Sequence, residues 1–215
     1  MLRLTLRHEG TDQVAALHRR AARWHERSGL LTDAVRHAAR AGDWQLAIDD
    51  LAIGQILHTQ RGQPLAGEFA GMPPGQAWTG PQPHLVSAAV ALSAGQPESC
   101  AAALAAADSG LEHVPADQQA ACRLAAALIR LAESLRGGDL AAAAAAVAQA
   151  EALLSQVPRQ KLDRHPEIRS RILAGRGAVE LWSGHLDEAA RLLQAGWPPR
   201  PVRPPKTSQR TASRI

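Results

Sequence analysis

The sequence predicts an all-helical protein, a solenoid of stacked helix hairpins, and three observations carry that expectation. Alanine is abundant while the chain holds one Phe, no Tyr and two Met among 215 residues. Bulk must then come from Leu, Val, Ile and five Trp, with Ala, the best intrinsic helix former, letting helix axes approach closely. Second, residues 17–51, LHRRAARWHERSGLLTDAVRHAARAGDWQLAIDDL, hold two complete helix starts and stops. Third, that grammar of helix, glycine, short cap and helix recurs along the chain.

Taken in order, residues 1–10, MLRLTLRHEG, alternate apolar and polar and read as a short strand or the frayed end of an element. A first helix follows with Val14, Leu17, Ala21 and Trp24 on one apolar face, while Arg19, Arg20, Arg23 and Arg27 point elsewhere. It stops at Gly29. A second helix presents Leu31, Ala34, Val35 and Ala38 and stops at Gly42, a residue that takes the left-handed conformation without steric cost. Asp43 then caps a third helix that buries Trp44, Ala47, Ile48 and Leu51 and completes an N-terminal segment, residues 1–60.

Residues 61–83 are rich in Gly and Pro and form a connector, with a turn of helix around residues 65–70. Residues 84–196 are expected to be helical repeats. One helix runs from His84 to about Ala94. Pro97 opens another to about Gly110, and Pro115 a long one ending near Gly137 with Ala121, Leu124, Leu128, Leu131 and Leu135 as its stripe. Asp139 caps the next, in which Leu140, Val147, Leu154 and Val157 recur. After a turn at residues 158–166 comes the last pair, residues 167–183 with Ile168, Ile172, Val179 and Trp182 inward, and residues 186–195. Residues 197–215 form a disordered, basic, Pro-rich tail.

Aligning the glycines exposes the unit. Gly42, Trp44, Ala47, Leu51 and Gly54 match Gly95, Pro97, Cys100, Leu104 and Ala107, then Gly138, Leu140, Ala143, Val147 and Ala150, then Gly184, Leu186, Ala189, Leu193 and Gly196. A weaker fifth unit is Gly29, Leu31, Ala34, Ala38 and Ala41. Glycine reverses the chain, the large residue two on packs under the turn, and the small residue five on lets the second helix sit close. The units recur at 53, 43 and 46 residues, longer than a regular tetratricopeptide repeat of about 34 residues. The expectation is therefore a TPR-like α-solenoid of uneven hairpins.

Residues 17–51, together with HPEIRSRILAGRGAVELWSGHLDEAARLL at residues 165–193, resemble the helical-repeat region of the large ATP-dependent LuxR-type, MalT-like transcription regulators. The resemblance covers about residues 3–196. In that family the region lies between a nucleotide-binding module and a C-terminal helix-turn-helix. It implies a connecting sensor region, a fragment without ATPase or DNA-binding domains, that meets a protein or small-molecule inducer through its solenoid surface. A free-standing helical-repeat adaptor is the alternative class.

The chemistry-bearing residues point the same way. A P-loop needs amide-rich glycines before Lys and Ser or Thr, whereas Lys206 and Thr207 follow prolines and Lys161 has no such setting. Residues 1–196 hold 19 basic against 20 acidic side chains, so the net charge of +4 belongs to the tail and gives no basis for reading nucleic acid. His18 and His25, seven apart, could share a helix face, with His37 on the next helix, yet no carboxylate completes a metal-ligand spacing. No nucleophile elbow occurs. Neither cofactor, metal nor catalytic group is expected, and the candidate partner surface is Arg19, Arg20, Arg23 and Arg27, weighed against an ordinary solvated face partly paired with Glu26 and Asp33. Trp24 and Trp44 read as core anchors, Trp78 and Trp197 as exposed contacts.

Residues 69–97 carry no charge, but their prolines argue against a membrane span. Two cysteines, Cys100 and Cys122, fall within predicted helices without a paired metal spacing and suit a reducing cytoplasm. The break in composition after Gly196 leaves two expectations for the tail, a proline-rich basic arm or a frameshift in high-GC coding sequence.

Overall fold

The computed structural model describes residues 2–44, 67, 69, 80–163 and 165–196, and among these every regular element is helical. In chain order they are α1 (Leu2–Arg27), α2 (Leu31–Arg40), α3 (Gln82–Ser93), α4 (Pro97–Gly110), a 3-10 turn (Leu111–His113), α5 (Ala116–Gly137), α6 (Leu140–Leu154), the short α7 (Arg159–Asp163), α8 (Pro166–Trp182) and α9 (Leu186–Gly196). The predicted third helix beyond Trp44, most of the connector and the tail lie outside the described residues. Within the connector, Gly67 and Phe69 are helical, and the Phe69 ring packs on Trp44 at 6.2 Å between centroids.

Four helix pairs form hairpins through one turn. Gly29, Gly95, Gly138 and Gly184 have φ between +70° and +86°, and the helix resumes two residues later, at Leu31, Pro97, Leu140 and Leu186. The amide of the residue after each glycine donates to a carbonyl five residues back: Leu30 to His25, Gln96 to Ala91, Asp139 to Ser134 and His185 to Glu180, at 2.9–3.0 Å. Asp43 does the same to Ala38 after Gly42, φ +66°. This closure satisfies carbonyls that a helix end leaves orphaned, and an L side chain at the glycine position would be strained. Asp139 adds the predicted cap, its carboxylate accepting from Ala142 N at 2.9 Å.

The small residue five positions past each glycine is buried in every described unit: Ala34, Cys100, Ala143 and Ala189. The residue two positions past does not pack under the turn as expected, apart from Trp44. Pro97 and Leu186 are exposed and Leu140 is half-buried, because this position begins the second helix at the rim of the hairpin. The last three described hairpins touch in succession: α3 and α4 lie on α5, and α5 and α6 lie on α8. Helix α5 is enclosed, burying Leu124, Ala127, Leu128, Ile129 and Leu131 on more than the single stripe expected. Arg136 from its last turn donates to the Leu92 carbonyl at the end of α3.

Three further expectations are corrected. Residues 2–10 are the start of α1, not a strand, since a helix satisfies its own backbone groups whereas a lone strand cannot. The turn at residues 158–166 contains α7, with Leu162 buried. Trp182 points outward at 72% exposure, although Ile172 on the same helix is buried and Ile168 and Val179 are half-buried.

Candidate interaction surface

The four arginines singled out in the sequence sit on the exposed side of α1. Arg20, Arg23 and Arg27 line one groove of about 590 Å³ together with Leu17, Ala21 and Trp24, and Arg19 lies outside it. The apolar members were expected inside the protein. Instead Leu17 is 61% exposed, Trp24 56% and Val14 52%. The helix meets α2 through its neighbouring face, with Ala22 fully buried and His18 and His25 half-buried. Since α2 offers Ala34, Val35 and Ala38, all buried, the axes come close only where α1 also presents a small side chain. Trp24 is therefore a surface residue, and Trp44 alone of the two expected anchors lies in the core.

The charges of this surface are largely free. Among the described residues Arg19, Arg20 and Arg23 hold no ion pair, and Arg27 Nε donates to the Arg23 carbonyl at 3.1 Å. Asp33, considered in the sequence as a partner for this cluster, pairs with Arg36 at 2.8 Å.

Behind the groove runs a chain of imidazoles that the sequence only hinted at through the spacing of His18 and His25. His18 Nδ1 and His37 Nδ1 are 2.7 Å apart, a hydrogen bond in which one nitrogen donates and the other accepts. His25 stacks on His37 with centroids 5.2 Å apart and planes at 11°, and the Trp24 ring stands edge-on to His25 at 4.9 Å. His25 Nδ1 is buried with no hydrogen-bond partner. Burial holds His37 below the ordinary imidazole value, and His18, His25 and Arg40 push it the same way against Asp33. Among the described residues no group of three His, Cys, Asp or Glu side chains is arranged to hold a metal ion. The histidines line the helix contact.

Elsewhere, the Cys100 thiol is fully buried and pushed up to about 11 by that burial, with Glu133 adding to the shift and Arg136 opposing it. At the start of α8, His165 Nδ1 donates to Glu167 Oε1 at 2.9 Å, and burial pulls the nearby Arg171 guanidinium down to about 10 against the effect of Glu167. Sequence spacing gave no sign of this polar cluster, because the fold buries it.

No described helix is long and apolar enough to cross a membrane. No family model, curated protein or solved structure matches the chain.

Proposed function

We propose that the chain is a non-catalytic helical-repeat interaction region whose hairpins stack as a TPR-like α-solenoid. The observation that carries this reading is the turn repeated at Gly29, Gly95, Gly138 and Gly184, each followed by a helix with a buried small residue at the same position. Units built alike and packed in succession give an extended surface, and binding at one unit biases the packing of the next.

By its resemblance to MalT-like regulators, such a region would lie between an ATPase module and a DNA-binding module, where it would sense an inducer protein or small molecule and pass the change to its neighbours. A free-standing adaptor is the second reading, supported by the unpaired arginines and exposed apolar stripe of α1, which offer a docking site needing no attached module.

The test is to translate every frame of the DNA flanking the coding sequence and to assay the products against this chain in a two-hybrid screen. A P-loop module upstream and a helix-turn-helix downstream, each contacting the chain, are expected for the regulator. Flanks encoding neither overturn that reading in favour of the adaptor.

A further inference from the structure

The outward face of α1 has a shape and a charge pattern that select a partner. Val14, Leu17, Ala21 and Trp24 follow one another at three- and four-residue spacing, an apolar stripe about 15 Å long. At about 100° per residue, Arg20, Arg23 and Arg27 fall on a single flank of it. The opposite flank is occupied: His18, Ala22 and His25 face α2 there. The acidic side chains of this stretch, exposed Asp12 and half-buried Glu26, lie round the helix away from the stripe.

Building on the interaction-region reading, we propose that this groove docks an amphipathic helix of a protein partner that carries Asp or Glu along one flank. Its apolar residues would cover Leu17 and Trp24. Its carboxylates, spaced three and four apart, would meet Arg20, Arg23 and Arg27 in charge-assisted hydrogen bonds.

The one-sided ridge separates this occupant from the two obvious others. Antiparallel pairing with a second copy sets like flanks together, so arginine ridge would meet arginine ridge. A bilayer surface takes an apolar face with cations on both sides, and here one side is closed by α2.

The experiment uses the full chain and two fluorescein-labelled synthetic peptides of about 20 residues, long enough for helix formation. Both carry the same leucine stripe, one with Glu and the other with Lys along one flank. Fluorescence anisotropy should show the Glu peptide binding about tenfold tighter than the Lys peptide, a preference that shrinks as salt screens it. The double variant Arg20→Glu, Arg23→Glu should invert the preference while leaving the far-UV circular dichroism unchanged, since both side chains are exposed. Leu17→Asn should weaken both peptides.

Equal affinity for the two peptides, or no binding of either, overturns the proposal. So does binding to phosphatidylcholine–phosphatidylglycerol vesicles that Trp24→Ala abolishes while the peptides fail, or self-association that the same variant abolishes. Each of these outcomes removes the α1 site in a folded chain and leaves the interaction-region reading standing. Failure of the regulator reading would appear instead in the flanking DNA and the two-hybrid assay, whatever the peptides do.

Discussion

At His37 a single side chain couples the packing of α1 to acidity. Its Nδ1 shares one proton with His18 Nδ1 at 2.7 Å, and full protonation would turn two donors toward each other beside the stacked His25 ring. Burial lowers its pKa from 6.5, His18, His25 and Arg40 lower it further, and Asp33 opposes them. A base that is harder to protonate when folded leaves the unfolded chain with more bound protons, so stability falls as pH falls. The contribution is complete above 6.5 and is lost as pH drops below it through the folded value. Hydrogen exchange of α1 and α2 amides, corrected for the intrinsic rate, should therefore accelerate as pH is lowered below 6.5, and His37→Gln should abolish the difference. Cys100 makes the complementary prediction. Buried and held at about 11, its thiol should resist iodoacetamide in the native chain and react fully after denaturation, as followed by mass spectrometry. Neither property was legible in the sequence. His18 and His37 are 19 residues apart, and their meeting depends on which face of α1 turns inward.

Among the helices, the turns inside the four described hairpins were the most legible feature, because a left-handed residue between two helices strongly favours glycine and the sequence offers one at each of them. The predicted bounds of α3 to α5 lie within about two residues of the observed ones, and cap chemistry accounts for the agreement at Asp139, although α6 ends at Leu154, three residues before the expected Val157. Inward faces were less legible. Helix α1 has two candidate faces, and the one richer in large apolar residues is outside, because contact with the small side chains of α2 selects Ala22 over Trp24. The same close approach appears on α8. A Cβ at Gly175 would sit 2.5 Å from Leu131 Cδ2, whereas one at Gly177 would sit 2.8 Å from Leu193 Cγ. Leu131 is locked in the core, and although the Leu193 side chain is partly exposed, its backbone N would also lie 3.3 Å from a Cβ at Gly177, so neither neighbour yields freely. Gly175→Ala should cost about 1–3 kcal/mol in a urea unfolding experiment, the usual range for overpacking a core. Gly177→Ala should cost a similar amount.

Over the whole molecule, building with hairpins raises the question of which side chains the last described pair, α8 and α9, leaves outside. The sequence made that question visible, since residues 186–196 match the earlier units and composition changes immediately after them. It could not show which side chains end up outside, because apolar periodicity is the same for a covered face and an uncovered one. In α8 and α9 the answer is Leu181, Trp182 and Leu186, all exposed, with Leu193 at their margin. Exposed apolar side chains of this size promote association. Light scattering of the full chain should therefore increase with concentration, and Trp182→Glu combined with Leu186→Glu should suppress the increase. Because both side chains are mostly in solvent, that double variant should lose less than about 1 kcal/mol of stability. Ile129→Ala, at the fully buried centre of α5, should lose about 2–5 kcal/mol. Scattering that persists unchanged in the soluble, folded double variant would move the associating surface away from α8 and α9, leaving the groove on α1 as the next apolar face to test.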